Sequence, residues 1–220
     1  MAAGRAIKAG DLPQVIPVFP LGGVLLLPHA QLPLNIFEPR YLNMIDDAMA
    51  AERMIGMIQP AGGSPALPAL AAVGCLGRIT SFAETSDGRY LITLTGVCRF
   101  RVANELAGRL PYRQVRANYA EFVEDLKPLV DDEGFDRIRF LAALKAFLER
   151  RGLDVDWDTA KDAPAEALVN SLSMALPFEP AERQALLEAV AFEERRETLI
   201  ALMEIDAADR SGDDDPHWLQ

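Results

Sequence analysis

The amino-acid sequence changes its hydrophobic period once, and that change restricts the architectures open to it. Over about the first 120 residues, apolar positions alternate or come in short runs, the period-two pattern of strands; over about the last 100 they recur every three or four residues, as on helix faces. Such segregation indicates an α+β protein or two adjoining domains. The join falls near Lys127 and Pro128. The expected organisation is a β-rich subdomain over 1–124 with one inserted helix, a helical bundle over 125–210, and an acidic, disordered tail over 211–220.

In the first half, the runs Ile16–Leu21, Val24–Leu27 and Leu32–Phe37 read as strands interrupted by Pro17, Pro20, Pro28 and Pro33. Proline has no N–H to give to a central ladder, so these segments are expected at edges, bends and strand ends, as in a folded-over pseudo-barrel. Tyr41, Met44, Ile45, Ala48 and Met49 form one helical stripe. Pro39 suits the first turn of that helix, and Glu38 complements its dipole. A strand follows over Met54–Gln59, and the Gly, Ser and Pro content of PAGGSPALPAL from Pro60 predicts a loop. Asp87-Gly88 marks a hairpin with arms Gly74–Glu84 and Arg89–Val97, because Gly88 can supply the positive φ of a tight primed turn. A further pair, Phe100–Ala103 and Tyr112–Ala117, completes the sheet. The hairpin register places Cys75 and Cys98 diagonally on one face, too far apart for a disulfide, and predicts two buried free thiols.

In the second half, Phe135, Ile138, Leu141, Leu144 and Leu148 predict a helix with Asp131 and Asp132 upstream and Gly152 as its stop. Pro164–Leu176 predicts a second, opened by Asp162 and ended by Pro177, with Leu168, Leu172 and Leu176 spaced by four. Leu186, Leu187 and Val190 predict a third, and Leu199, Ile200 and Met203 a fourth or a continuation of the third. Four short helices make a small bundle. His217, Trp218 and Leu219 lie in the tail.

The formal net charge is −11, from 33 acidic and 22 basic residues, which argues against a nucleic-acid partner. No apolar run reaches the roughly 18 to 20 residues that cross a bilayer, and the N-terminus has no apolar signal core, so a cytoplasmic protein with no membrane partner is expected. Nothing in the sequence specifies an oligomeric state.

Catalytic constellations are absent from the reading. Gly62-Gly63-Ser64-Pro65-Ala66 lacks the second glycine of G-x-S-x-G and precedes no suitable helix. Lys8, Lys127, Lys145 and Lys161 stand in polar or helix-surface contexts, unlike the desolvated lysine of a Ser-Lys dyad. His29 and His217, one in a proline-rich bend and one in the tail, cannot form a metal cluster, and His29 reads as a surface residue. Asp46-Asp47 and Glu193-Glu194 are adjacent on helix faces and point apart. No catalytic, cofactor-binding or metal-binding residue is therefore expected, and no cofactor.

IPVFPLGGVLLLPHAQLPLNIFEPRYLNMIDDAM, from Ile16 to Met49, resembles the opening of the Lon protease N-terminal substrate-recognition domain. VGCLGRIT from Val73, DGRY from Asp87, LTGVCRF from Leu94 and LPFEPAERQALLEA from Leu176 resemble its later blocks, in order, across about Val15 to Ala207. The resemblance implies a PUA-like pseudo-barrel followed by a helical bundle, engaged with protein substrates. Its motif residues carry over as Glu38, Arg40, Tyr41, Arg78, Arg89, Arg99 and Phe100, with Gly77, Gly88 and Gly96. Most have a structural reading: glycines for turns and bulges, Tyr41 and Phe100 for packing, arginines for pairing with Glu38 or strand carbonyls. The sequence ends where the ATPase module of a full-length Lon would begin, and G-x-x-x-x-G-K-[ST] occurs nowhere in it, so a stand-alone member without ATPase or protease parts is expected.

The expected function is therefore non-catalytic binding of protein or peptide clients: unfolded or extended segments, or a protein partner. The alternative is an RNA-binding PUA-like module using Arg99, Arg101, Arg109, Arg113 and Arg116, against which the charge and a plainer solvent-face reading of those arginines both weigh. A hydrolase acting through Ser64 ranks last.

Overall fold

The computed structural model describes residues 7–64, 67–129 and 134–209. Among these, six strands build one sheet: β1 (Val15–Pro20), β2 (Gln31–Ile36), β3 (Met54–Ser64), β4 (Leu67–Glu84), β5 (Tyr90–Leu106) and β6 (Arg113–Asn118). Their order is β2-β5-β4-β3-β1-β6, and a further β5–β6 pairing closes all but β2 into a ring. The length of β5 makes closure possible. Its first part, Tyr90–Thr95, pairs with β2, and its last, Arg101–Leu106, with β6. The pair β1–β3 is parallel, and the connection between them carries β2 and the helix α1 (Pro39–Ala50).

The prolines occupy positions a ladder tolerates. Pro33 lies in β2, which pairs only with β5. The other case corrects the edge expectation: β1 has neighbours on both sides, but its parallel ladder to β3 begins at Val18, one residue beyond Pro17.

Val24–Leu27 is not a strand. It is a loop with Leu25, Leu26 and Leu27 buried, laid over the cross-strand pair Gly77↔Gly96. A Cβ on Gly96 would stand 2.0 Å from the Leu27 carbonyl oxygen, and one on Gly77 2.8 Å from Leu26 Cδ2. The paired glycines therefore leave the space the loop fills. Inside the ring, Phe100 does the same with Gly56 and Gly74, whose added Cβ atoms would lie 2.9 and 2.7 Å from its ring.

Four further expectations are corrected along the sheet. The stretch from Pro60 is not a plain loop: β3 and β4 stay paired through Pro60↔Leu70 and Ser64↔Leu67, with register shifts that absorb the glycines. Phe100–Ala103 continues β5 instead of starting a new strand. The register sets Cys75 opposite Arg99 and Cys98 opposite Leu76, so alternation puts the two thiols on different faces rather than one; both are buried and free. At the hairpin tip, Gly88 has φ +79, but Thr85 and Arg89 are paired around a three-residue loop, longer than a two-residue primed turn.

Helix α1 starts at Pro39, with Glu38 at the N-cap position making no side-chain cap bond, and buries Tyr41, Met44, Ile45 and Ala48, with the Tyr41 ring 4.2 Å from that of Phe19. Asp46 and Asp47 tie it to the sheet subdomain by accepting hydrogen bonds from Tyr90 (3.0 Å) and Tyr112 (2.7 Å).

The helical half contains α2 (Arg137–Arg151), α3 (Trp157–Asp162), α4 (Ala165–Ala175), α5 (Pro180–Glu188) and α6 (Phe192–Asp209). The short α3 is an addition to the four helices expected. Asp162 ends it rather than opening α4, and Asp156 caps its start by accepting from the N–H groups of Asp158 and Thr159. Helix α2 stops at Gly152 (φ +63) as expected, but its buried face is Phe140, Ala143, Leu144, Phe147 and Leu148, and Ile138 is 85% exposed. Val190 falls in the break between α5 and α6, not in a helix. Asp131, Asp132 and the tail from Ser211 lie outside the described residues. The architecture is the expected α+β one: a strand ring with an inserted helix, then a helical bundle, joined by one continuous apolar cluster.

Candidate functional site

The last carbonyls of a helix have no partner within it, and here buried and half-buried arginines satisfy them. Arg183 donates to Met174, Leu176 and Phe178 at the end of α4, and Arg137 to Ala160, Lys161 and Ala163 at the end of α3. The end of α5 receives two. Arg195 donates to the Leu186 carbonyl (3.1 Å) and to Asn170 Oδ1 (2.9 Å); Arg99, reaching across from β5, donates to the carbonyls of Leu187 (3.1 Å), Ala189 and Val190 (3.0 Å).

Arg99 also forks onto Asp125 in the 3-10 segment Ala120–Leu126, with Nε–Oδ2 2.9 Å and Nη2–Oδ1 2.7 Å, and lies 4.6 Å above the Phe122 ring. Its side chain is 3% exposed and that of Asp125 8%. One residue thus fastens strand, 3-10 segment and bundle together. Burial lowers the Arg195 guanidinium to about 10, with the neighbouring Arg99 charge adding to the effect, so Arg195 remains cationic at neutral pH.

Beside this network a cavity of about 510 Å³ opens between the two halves, lined by Phe122 and Asp125 on one side and Glu166, Phe192 and Arg195 on the other. A mostly apolar groove of about 310 Å³ adjoins it, over Gly96, Val97 and Leu126, with Arg78 and Ile7 also in its wall. His29 and Pro128 line both. Each volume lies in the range of ligand-binding clefts. His29 has φ +63, unusual for a residue with a side chain. The loop over the glycine pair enforces it: the His29 N–H donates to the Gly96 carbonyl (2.9 Å) and the Gly96 N–H to that of Ala30 (2.9 Å). Backbone strain of this kind collects at functional sites.

Of the seven motif residues, only Arg78 and Arg99 reach these clefts. Glu38 and Arg40 form an exposed ion pair (2.8 Å), with Arg40 stacked 4.6 Å from the Tyr41 ring. Burial raises the Tyr41 phenol, partly offset by Arg40. Arg89 pairs with Asp87 (3.0 Å) at the hairpin tip, and Phe100 fills the ring interior. Asp125, Glu166 and Arg195 carry no sequence signal of a site, and Glu193 reads only as one of an adjacent carboxylate pair on a helix face. By sequence His29 is a surface residue, and the positive φ that distinguishes it has no signal in the dipeptide Pro28-His29.

Three of the five arginines in the basic stretch are already committed to carboxylates. Arg99 is buried rather than on a solvent face, Arg101 pairs with Glu121 (2.7 Å), and Arg113 with Glu105 (2.5 Å). Reactive thiols are likewise lacking. Burial, reinforced by Asp125, pushes Cys98 up to about 12 and Cys75 well above its ordinary range, so neither is a thiolate at neutral pH. Among the described residues no group of acidic, His or Cys side chains could hold a metal, and no helix is long and apolar enough to cross a membrane.

Comparisons with known proteins agree on one domain type. The family model described as the ATP-dependent protease La (LON) substrate-binding domain matches residues 15–204. The Lon protease of Anaeromyxobacter dehalogenans is 27% identical over 214 residues, 90% of this chain and 24% of that protein. Lon protease 2 of Myxococcus xanthus is 29% identical over 124 residues, 55% of this chain and 15% of that protein. The chain therefore spans about a quarter or less of the length of these relatives. A Lon N-terminal domain protein from Xanthomonas campestris superposes with TM-score 0.60 at 28% identity, covering 85% of this chain and 97% of that one. The N-terminal domain of Mycobacterium avium complex Lon protease gives 0.62 at 18% identity, covering 86% and 98%, and supports the fold alone.

Proposed function

Because the chain belongs to the family of the ATP-dependent protease La (LON) substrate-binding domain, we propose that it is a non-catalytic recognition module holding unfolded or extended protein segments in the two adjoining clefts. The observation that carries this reading is their convergence on His29 and Pro128, at the junction of strand ring and bundle. A protein segment is longer than either cavity. Two connected clefts, one apolar and one charged, suit successive side chains of an extended chain better than a compact metabolite. Of the motif residues, Arg78 and Arg99 belong to this site, while Glu38, Arg40, Tyr41, Arg89 and Phe100 shape the scaffold. The RNA-binding alternative finds no support in the family match, and the pairing of Arg99, Arg101 and Arg113 leaves only Arg109 and Arg116 of the stretch it needed.

Retention of a reduced, unfolded client on the immobilised chain tests the proposal. Thr80→Trp, which fills the apolar groove from an exposed position, is expected to abolish retention while circular dichroism stays unchanged. Equal retention by Thr80→Trp, or equal retention of the native client, would overturn it.

A further inference from the structure

The charges lining the larger cleft are not all available to a ligand. Glu121, Glu124, Asp125, Glu166 and Glu193 stand against Arg99, Arg195 and Lys127. The two arginines are committed inward, Arg99 to Asp125 and three carbonyls, Arg195 to Asn170 and the end of α5. Glu121 is taken by Arg101 and Glu124 by Lys127. Glu166 and Glu193 remain. Glu166 feels the buried charge of Arg195, yet among the described residues neither carboxylate makes an ion pair or hydrogen bond, and they come from different helices, α4 and α6. Carboxylates in a recessed cleft focus negative potential there, and the chain's net charge of −11 has the same sign.

The walls beside those carboxylates are apolar: Phe122, Val190 and Phe192. A lysine or arginine stem packs on such a surface while its charged head stays solvated. The adjoining groove has no carboxylate in its lining and offers Ile7, Val97, Leu126 and Pro128 instead. Alternate side chains of an extended segment, roughly 7 Å apart, can therefore meet unlike environments.

From this we infer that the site selects segments in which a basic side chain stands one or two residues from a large apolar one. The apolar group enters the groove over Gly96 and Val97, and the ammonium or guanidinium group faces Glu166 and Glu193. The inference rests on the clefts being the client site and adds the client's chemical class.

Three fluorescein-labelled peptides of equal length, identical except for Lys, Gln or Glu two residues after a Phe, are titrated with the 220-residue chain and followed by anisotropy at low and raised salt. The Lys peptide is expected to bind tightest and the Glu peptide weakest, with the Lys advantage shrinking as salt screens it. The double variant Glu166→Gln/Glu193→Gln should weaken the Lys peptide on the order of tenfold, from up to about fivefold per surface ion pair, and leave the Gln peptide unchanged. Both positions are solvent-accessible, and a matching thermal melt confirms that the variant is folded. Equal affinity for all three peptides, a preference for the Glu peptide, or a Lys preference that survives the double variant would overturn the inference while leaving the cleft reading in place. No binding of any peptide would overturn both.

Discussion

Replacing Arg99 with methionine removes the residue that joins the two halves, and the structure sets the size of the loss. Asp125, with its side chain 8% exposed, keeps only the backbone N–H of residue 99 (2.9 Å) as a partner. Breaking a buried ion pair by deleting one side costs about 3–5 kcal/mol, because a charge is left uncompensated. The carbonyls of Leu187 and Val190 also lose a charged donor, about 1 kcal/mol each where water cannot replace it, whereas Ala189 retains Arg195 at 3.4 Å. Burial of the methionine returns about 1–2 kcal/mol. The net expectation for Arg99→Met is a loss of about 4 kcal/mol in urea unfolding, or a fall in Tm of roughly 8–16 °C for a chain of this size. The double variant Arg99→Met/Asp125→Leu should recover at least half, since it removes the stranded carboxylate. A single-variant loss below about 1 kcal/mol, or a double variant no more stable than the single one, would refute the reasoning.

Other perturbations follow from the same structure. Gly96→Ala drives a methyl into the Leu27 carbonyl at 2.0 Å and should cost about 1–3 kcal/mol; because Gly96 also lines the apolar groove, client binding should fall with it. Ile138→Glu, at an 85% exposed position, should change the urea midpoint by less than about 0.5 kcal/mol, while Leu144→Ala at a fully buried one should cost about 2–5 kcal/mol. Cys75 and Cys98 should resist a thiol reagent at pH 8 until denaturant is added. Because the folded Cys98 titrates near 12 against an ordinary 9.0, the stability it contributes is complete below pH 9 and lost as pH rises from there toward 12. Cys98→Ala should flatten that part of the stability profile.

Local chemistry made much of the fold legible. Pro39 with the stripe Tyr41 to Met49 located α1, Asp87-Gly88 located the β4–β5 hairpin, and Gly152 the end of α2. What escaped was decided by distant contacts. Leu25–Leu27 read as a strand because an apolar run carries no mark of whether its backbone pairs with a sheet or lies over paired glycines on β4 and β5. Ile138 matched the helical period, but Phe140, Phe147 and the packing against α6 turned the helix away from it. Six residues are too few for α3 to show a period. The cleft escaped for the same reason: His29, Asp125, Glu166 and Arg195 lie far apart in sequence, and the arginines that look like a basic stretch are spent on carboxylates and helix ends.

Mapping amide chemical shifts as the Phe–Lys peptide is titrated into the chain tests the central claim most directly. Perturbations are expected to gather on His29, Thr95, Val97 and Leu126 and on the starts of α4 and α6 around Glu166 and Glu193. Perturbations confined instead to the exposed face of Phe37, Phe82 and Leu91, with the cleft residues unmoved, would contradict it.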